Sequence, residues 1–326
     1  MKTLRMTWAL VLAGGDGTRL AALTRDGFGN QVPKQFCSLS GGQALVHDAV
    51  QRARYVAPRE RTCVIVAEQH QRYWKRQLWA LGTRNVIKQP RNCGTAIGIL
   101  LAVLHIVRRD PMARIVFLPA DHHVRDEAAL GLSLREAVTL VTDAYNDLIL
   151  VGIEPEGADS DLGYIVPGAS REDGARGIAR FVEKPDSELA RKLLASGAVW
   201  NSFIFAGAAA TLLDLLRESI PRIVDDVSSA LAGDARHTDG LALHNLYAKL
   251  PSVDFSRSVL EGAESRLRLL TVPACGWTDL GTPSRVAAAL HKLNSGSTAT
   301  SRPRNIAVPG FLSLAEQTSR FMLARA

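Results

Sequence analysis

Cysteine is scarce in this sequence, with four residues among 326. The four lie far apart and lack the close spacing of zinc ligands, so they indicate neither a disulfide framework nor a structural zinc site. We expect reduced thiols in a cytoplasmic protein. The four positions are Cys37, Cys63, Cys93 and Cys275.

Long apolar runs are also missing. Apolar residues make up 47% of the chain, but no uninterrupted stretch approaches the roughly 18 residues typical of a membrane-spanning helix. The apolar start of the chain is short and leads straight into a glycine-rich segment, so it predicts a first strand rather than a signal peptide. We therefore expect a globular protein with a sizeable core and no membrane partner.

A basic stripe is absent as well. The formal net charge is +7, yet Lys and Arg are scattered and no nucleic-acid-binding module is recognisable. The positive balance suits a protein that handles small anions. We expect no nucleic-acid partner.

A glycine-rich segment follows the first apolar run. Trp8–Ala13 predicts a buried strand, and Gly14, Gly15 and Gly17 come directly after it. Glycine lets the backbone approach a ligand closely, exposed N–H groups bind anions, and Arg19 adds a permanent cation. The segment favours a polyphosphate site, with an ordinary tight turn as the alternative.

Two familiar phosphate-binding motifs do not match this segment. A P-loop needs Lys before Ser or Thr, but here Arg19 follows Thr18. In the dinucleotide fingerprint Gly15 and Gly17 fit the first two glycines, but Leu20 occupies the third position. This mismatch argues against a nicotinamide dehydrogenase.

Residues 8–153 alternate between predicted strands and helices. This alternation indicates βαβ units, and hence an α/β, Rossmann-like fold with a mixed, mostly parallel sheet flanked by helices. Ligands of such sheets bind outside the carboxyl ends of the strands. The predicted strands are Trp8–Ala13, Thr62–Ala67, Val86–Lys88, Ile115–Leu118 and Leu148–Ile153, and the predicted helices are Ala44–Tyr55, Gln69–Leu81, Ala96–Arg109 and Ala128–Thr142.

The rhythm changes after residue 154. We expect this half to contain the pocket of a second substrate. Residues 294–304 are rich in Ser, Thr, Gly and Pro and predict a linker, and residues 305–326 form either one short docking helix or a disordered tail. The predicted strands are Gly163–Pro167, Ile178–Lys184, Trp200–Phe205 and Leu267–Val272, and the helices include Glu188–Ala195 and Ser284–Lys292.

Two carboxylates follow predicted strands. Asp121 comes after Ile115–Leu118, and Asp279 lies in a tight loop after another strand. Either one could be a helix cap or turn former. Together they could hold Mg²⁺ on a triphosphate, because Mg²⁺ takes one or two carboxylates plus phosphate oxygens. His122 and His123 offer zinc as an alternative, without a further ligand cluster.

Polar side chains elsewhere allow both functional and structural interpretations. Asn92 and Thr95 could cap the following helix, but the amides of Gln89 and Asn92 also provide paired donors and acceptors that could read a base. Glu183 and Lys184 could face a ligand or form an ordinary exposed ion pair.

The ordered series of segments resembles the sugar-phosphate nucleotidyltransferases, and within them the bacterial mannose-1-phosphate guanylyltransferases. The resemblance covers roughly residues 8–290. Its segments are Leu12–Leu20, Pro33–Phe36, Gln89–Ala96, Pro119–His122, Gly163–Ile165, Phe181–Pro185, Trp200–Ser202, Pro251–Phe255 with Glu261, and Gly276–Gly281.

The resemblance implies a GT-A-like nucleotidyltransferase fold and a set of residue roles. Residues 1–293 would form the catalytic domain, with 8–153 as the nucleotide-binding half and 154–293 as the sugar-phosphate-binding half; 294–326 would be linker and tail. The implied residues are Arg19 and Lys34 for catalysis; Gly14, Gly15, Gly17, Thr18, Gln89, Asn92 and Thr95 for the nucleotide; Gly163, Glu183, Lys184, Asn201 and Asp254 for the sugar phosphate; and Asp121 and Asp279 for Mg²⁺.

Three segments depart from the family pattern. Ala21–Thr24 replaces Trp-Pro-Leu-Ser, Ile97–Ile99 replaces Pro-Ala-Ile, and Phe203 stands where the family has Gly. A bulky Phe203 would narrow the pocket or change the loop. These departures concern the sugar, and to a lesser degree the base, more than the reaction type.

The leading hypothesis is a Mg²⁺-dependent enzyme that forms GDP-mannose and pyrophosphate from GTP and mannose-1-phosphate by in-line attack on the α-phosphorus. One alternative is another sugar-1-phosphate or NTP. A second is a non-catalytic homologue that binds a nucleotide sugar and regulates a partner. The sequence leaves the oligomeric state open, a homodimer being one option.

Overall fold

The first apolar run forms the central strand β1 (Thr7–Ala13) of a nine-stranded sheet. The computed structural model describes residues 6–142, 146–237, 240–295 and 312–323. The other strands are β2 (Thr62–Ala67), β3 (Val86–Gln89), β4 (Arg114–Pro119), β5 (Leu148–Ile153), β6 (Tyr164–Ser170), β7 (Arg176–Val182), β8 (Val199–Ala208) and β9 (Leu267–Val272).

Helices cover both faces of this sheet. Where the sequence predicts one helix over Gln69–Leu81, the structure has a short α-helix with a 3₁₀ turn at each end. The helices are α1 (Leu45–Ala53), α2 (Gln71–Gln77), α3 (Thr95–Val107), α4 (Glu127–Leu140), α5 (Ser187–Ala195), α6 (Ala209–Ser219), α7 (Pro221–His237), α8 (Leu241–Tyr247), α9 (Pro283–Ser295) and α10 (Leu314–Leu323).

The strand order is β3-β2-β1-β4-β8-β5-β9-β7-β6. All pairings among β1–β4 are parallel, as the βαβ pattern predicts. Strand β8 runs antiparallel between β4 and β5, and the β6–β7 hairpin is antiparallel too. The mixed α/β sheet is therefore confirmed, with its parallel order concentrated in the first half of the chain.

Strands from the second half of the chain belong to the same sheet as strands from the first half. Strand β6 pairs with β8 as well as with β7, so β8, β5, β9, β7 and β6 form a closed ring of pairings. Because β8 lies between β4 and β5, the two halves share one sheet. The ends of both sets of strands thus meet around one site.

The core divides between the two sheet faces because strand side chains alternate. In β1, Ala9 and Val11 belong to one buried cluster, while Trp8 and Leu10 belong to the other. Helix α3 is almost wholly apolar and buried. All four cysteines are free and buried. No helix in the described residues is long and apolar enough to cross a bilayer.

The tail contains one described helix. Helix α10 contacts α9, and Ser313 pairs with Ser38 in a short bridge. Helix α9 continues through Asn294 and Ser295, so the predicted linker begins later than residue 294. The rest of that predicted linker, 296–304, lies outside the described residues.

Candidate active site

The glycine-rich segment crosses the carboxyl end of β1. A Cβ on Gly14 would lie 2.3 Å from Nε2 of Gln89, and Gly17 has φ 66° with its backbone against Lys34. Gln35 donates from Nε2 to the carbonyls of Ala13 at 2.9 Å and Gly15 at 2.8 Å. The segment is therefore a fixed turn that needs glycine at two positions because of close approach and left-handed backbone.

A cavity of about 310 Å³ opens beside this turn, within the size range of small-molecule sites. It brings together many of the residues expected at the site. The expected residues that line it are Gly14, Gly15, Gly17, Gln89, Asn92, Thr95, Asp121 and Asp254. Other lining residues include Gln35, His122, Phe203 and Ser252.

Gln89 offers an unused acceptor in this cavity. Its side chain is buried, and Oε1 has no hydrogen-bond partner among the described residues. Gly14 and Gly98 leave the space that the amide occupies, since a Cβ on Gly98 would lie 3.2 Å from Oε1. A buried, unpaired amide oxygen is costly, so a ligand N–H that reached it would gain a strong contact.

Asn92 and Thr95 already have partners within the protein. Asn92 donates from Nδ2 to Oδ2 of Asp16 at 3.0 Å and accepts from the Gly94 N–H at 3.0 Å. The Thr95 hydroxyl accepts from the Phe255 N–H at 2.8 Å. Both side chains fix the loop before α3, but neither caps the helix as the structural alternative expected, because the N-cap is Gly94 and no side-chain hydrogen bond caps this helix.

Asp16 joins three strand ends and is a residue that sequence reasoning missed. Besides Asn92, its carboxylate accepts from Gln69 at 2.8 Å and lies 3.2 Å from Nε2 of His70. The hydrogen bond with His70 is the main cause that lowers the pKa of Asp16. Asp16 thereby ties the glycine turn to the loops after β2 and β3.

Lys34 lies between the two predicted metal ligands. Its buried ammonium is 2.9 Å from Oδ2 of Asp121 and donates to the backbone carbonyls of Asp279 at 2.5 Å and Leu280 at 3.3 Å. Burial is the largest influence and acts to raise the pKa of Asp121, but the Lys34 ammonium, His122 and hydrogen bonds together outweigh it, so the net shift is downward. Lys34 thus joins the carboxyl end of β4 to the loop after β9.

Asp279 is held on one side of its carboxylate. Oδ1 accepts from Nη1 of Arg285 and from the Gly281 N–H at 2.9 Å, whereas Oδ2 lies 3.9 Å from Nη2 of Arg19. Burial acts to raise the pKa of Asp279, but nearby cationic groups, Arg285 among them, lower it. Both predicted metal ligands therefore favour the ionised form.

His122 is kept neutral beside these carboxylates. Burial lowers its pKa to about 4. Its Nδ1 accepts from the indole N–H of Trp277 at 3.2 Å, which leaves Nε2 facing Oδ1 of Asp121 at 3.8 Å. No group of three or more His, Cys, Asp or Glu side chains in the described residues is arranged to hold a metal, so the zinc alternative gains no support.

Four of the five residues expected at the sugar phosphate lie together and contact one another, whereas Asp254 is not among them. A Cβ on Gly163 would lie 2.6 Å from Oε2 of Glu183 and 3.3 Å from Cβ of Asn201. Lys184, at φ 48°, places Nζ 3.0 Å from Oε1 of Glu183. Only Asp254 of this set lines the cavity.

Phe203 belongs to a bulge in β8. The register places Asn201 opposite Gly152 and Ile204 opposite Val151, so Ser202 and Phe203 have no counterparts on β5. Phe203 has φ 56°, a left-handed conformation that favours glycine. The ring lines the cavity and packs edge-on against other phenylalanines, so it narrows the site.

The W-N-S segment builds this bulge. The Ser202 hydroxyl donates to the Val151 carbonyl at 2.6 Å and accepts from the Ile204 N–H at 3.1 Å, replacing the interrupted ladder. Asn201 accepts from the Phe203 N–H at 3.0 Å. The side chains of Asn201 and Ser202 therefore stabilise the bulge that turns Phe203 toward the cavity.

The two remaining predicted residues lie at the surface. Thr18 and Arg19 are exposed in a 3₁₀ turn, and the Arg19 side chain is 57% exposed. Among the described residues, the ion pair that links Arg19 to the site is the 3.9 Å approach of its Nη2 to Oδ2 of Asp279. Its guanidinium is thus free to meet a ligand from the solvent side.

A comparison with protein-family models identifies the family of the chain. The family model described as Nucleotidyl transferase matches residues 8–296, which spans both halves of the sheet and every residue of the site. The chain belongs to the nucleotidyl transferase family.

The chain is similar to curated proteins named for xanthan biosynthesis and for mannose-1-phosphate guanylyl transfer. It is 34% identical over 279 residues to the xanthan biosynthesis protein XanB of Xanthomonas campestris, covering 83% of this chain and 57% of that protein. It is 30% identical over 280 residues to a mannose-1-phosphate guanylyltransferase of Salmonella muenchen, covering 83% and 57%. The chain therefore spans a little over half the length of these curated relatives.

Solved structures place the nucleotidyl transferase among similar folds. A Thermus thermophilus protein described as a mannose-1-phosphate geranyltransferase superposes with a TM-score of 0.72 at 30% identity, covering 85% of this chain and 76% of that one. A UDP-glucose pyrophosphorylase complexed with UDP-glucose superposes with a TM-score of 0.57 at 15% identity, covering 90% and 100%. The second likeness shows the fold alone.

Several residues of this nucleotidyl transferase site escaped sequence reasoning. Gln35 and Asp16 lie inside segments that the family resemblance covers, but their partners are distant in sequence. His122 was considered only as a zinc ligand, and its contact with Trp277 could not be predicted. Arg285 has no motif to mark it, because its role depends on carboxylates from two other loops.

Proposed function

We propose that this nucleotidyl transferase forms GDP-mannose and pyrophosphate from GTP and mannose-1-phosphate. A phosphate oxygen of the sugar phosphate attacks the α-phosphorus of GTP, and the bond from that phosphorus to the β-phosphate bridging oxygen breaks. Pyrophosphate leaves with the electron pair. Such a transfer depends on alignment and charge neutralisation, and it needs no protein nucleophile.

One observation carries the proposal. The glycine turn, Gln89 and Asp121 line a single cavity, and Lys34 links Asp121 to the Asp279 loop next to it. A turn that can bind phosphate, an amide that can hydrogen-bond to a base, and the charged pair of Asp121 and Lys34 are thus adjacent. The name of one relative, a mannose-1-phosphate guanylyltransferase, supports mannose-1-phosphate and GTP as the first substrates to test.

The donor set fits Mg²⁺. Asp121 and Asp279 favour the ionised form, and among the described residues the cation paired with Oδ2 of Asp279 is Arg19, at 3.9 Å. Oxygen ligands of this kind suit a hard cation. Asp121 and Asp279 would hold the ion, which when bound would neutralise charge on the phosphate oxygens.

The protein's own groups have separate tasks in this proposal. The backbone of the glycine turn cradles the triphosphate, and the exposed Arg19 approaches it from solvent. Gln89 contacts the base through its unpaired oxygen. Lys34 positions Asp121. Glu183 and Asn201 would reach the sugar once the pair between Glu183 and Lys184 opens toward the sugar phosphate.

The test is pyrophosphate release. Release should require GTP, mannose-1-phosphate and Mg²⁺ together, and Asp279→Ala should abolish it. Asp225→Ala, at an exposed position of α7, is the matched control and should keep full activity. Absence of turnover with every pair in a panel of sugar-1-phosphates and NTPs would contradict the proposal.

A second candidate keeps the reaction and changes the substrate. It is favoured by Phe203, whose ring narrows the cavity where the family has Gly. The same panel separates the two: higher kcat/KM with another sugar-1-phosphate or NTP selects this candidate. Tight GDP-mannose binding in calorimetry without turnover would instead select the regulatory homologue.

A further inference from the structure

Arg285 on α9 connects three carboxylates from two loops. Nη1 donates to Oδ1 of Asp279. Nε and Nη2 donate to Oδ2 and Oδ1 of Asp159 at 3.0 and 2.9 Å, which forms a bidentate pair. Nη2 also lies 3.5 Å from Oδ2 of Asp161. The side chain is only 16% exposed, so these contacts are made in a partly dehydrated setting.

The contact with Asp279 leaves one of its oxygens open. Oδ1 is shared by Arg285 and the Gly281 N–H, and Oδ2 receives neither. Gly281 keeps the space beside Oδ2 clear, since a Cβ there would lie 2.4 Å from that oxygen. Asp279 is therefore presented to a cation through Oδ2 alone.

The contact with Asp159 anchors this arrangement in the sugar half. The Asp159 N–H donates to the Tyr164 hydroxyl at 2.7 Å, and Tyr164 is fully buried at the start of β6. Gly163, expected to face the sugar, immediately precedes Tyr164. Arg285 thus links the carboxylate after β9 to the loop that leads into β6.

We infer that Arg285 is a positioning residue, which restricts Asp279 to metal binding through Oδ2 and fixes it relative to the loop that leads into β6. The inference rests on the proposed function for its metal. Its charge is balanced by Asp159 and Asp161, so its effect on a bound cation is one of geometry. Groups next to a ligating carboxylate commonly set metal affinity in this way.

The test uses Arg285→Lys, which keeps the positive charge but loses the planar fork that spans two carboxylates. Mn²⁺ binding to the full chain is measured by electron paramagnetic resonance, without turnover. The affinity should fall by about tenfold or more, the usual range for such neighbours of a ligand. Asp159→Asn should give a smaller fall in the same direction. Excess Mg²⁺ should partly restore the activity of Arg285→Lys.

Lys292→Ala is the matched control. Lys292 lies on the same helix and pairs with Glu156 at 2.6 Å, so it tethers α9 to the same stretch of chain without touching Asp279. Its Mn²⁺ affinity should equal that of the wild type. Equal losses in Lys292→Ala and Arg285→Lys, an unchanged or tighter Arg285→Lys, or a wild type that binds no Mn²⁺ would each overturn the inference. A wild type that binds Mn²⁺ with these variant effects but transfers no nucleotide would overturn the proposed function alone.

Discussion

The two halves of the site differ in how their polar groups are satisfied. In the nucleotide half, parallel strands end side by side, and Gln89 keeps an unpaired buried oxygen in an open cavity. In the sugar half, strands join in a ring whose pairings are antiparallel except between β5 and β9, and Glu183 pairs with Lys184 beside Gly163. Gln89 therefore offers an open acceptor in the first half, although Asn92 and Thr95 of the same half are already paired. In the proposed reaction, the sugar phosphate would have to compete with the ion pair between Glu183 and Lys184.

Removing the link between the halves should have the largest effect. Lys34→Met leaves Asp121 and two buried carbonyls without their cation, and the pKa of Asp121 should rise as a result. Turnover should fall roughly 10²- to 10³-fold, as when one preorganised electrostatic group is lost. Pyrophosphate release measures it, with the exposed Lys75→Met as control. A variant that keeps more than a tenth of wild-type activity would show that the halves do not depend on this link.

Removing the side-chain amide of Gln89 should weaken nucleotide binding and leave sugar-phosphate binding unchanged. Gln89→Leu keeps the size of the side chain and loses its hydrogen-bonding groups. The KM for GTP should rise tenfold to a hundredfold, roughly 1–3 kcal/mol for a lost contact of this type, while the KM for the sugar phosphate stays unchanged. Steady-state kinetics with each substrate varied would measure this. Gln43→Leu, on the exposed surface near α1, is the control; equal rises in both KM values would break the comparison.

Opening the bulge should affect mainly the sugar half. Phe203→Gly removes a ring that lines the cavity and relieves a left-handed backbone, so the fold should tolerate it. The ratio of kcat/KM values for mannose-1-phosphate and glucose-1-phosphate should change by about tenfold, a typical effect of pocket shape. Phe28→Gly, at a 93% exposed position, is the control. An unchanged ratio would remove Phe203 from substrate selection.

A surface contact between the halves should give the smallest effect. His244 on α8 donates to the Gly240 carbonyl from Nδ1 and to the carboxylate of Glu68, which follows β2, from Nε2, and these two contacts raise its pKa. Because the folded pKa is raised, the contribution to stability is present below about pH 6.5 and is lost as the pH rises through the folded value. His244→Gln should therefore lower Tm slightly at pH 5.5 and not at pH 8.5. Thermal unfolding at both pH values measures it, and an equal loss at both would show that protonation has no part in the contact.

Much of the fold follows from local pattern. The strands of the first half lie where the apolar runs predict them, because a buried parallel strand needs an uninterrupted apolar segment. Strand β8 extends beyond the predicted Trp200–Phe205 to Val199–Ala208. Its bulge could not be foreseen, since it depends on which strand lies opposite and where the register slips.

The sequence by itself determined the α/β architecture, the need for glycine in the turn after β1 and the set of chemical groups at the strand ends, because periodicity and residue type act locally. Only the tertiary structure decided which of those groups are already paired. Lys34 contacts Asp121 across 87 residues of sequence separation and Asp279 across 245, and Arg285 contacts Asp159 across 126. Such contacts depend on strand order, and strand order is set by how distant segments share the two buried faces of one sheet.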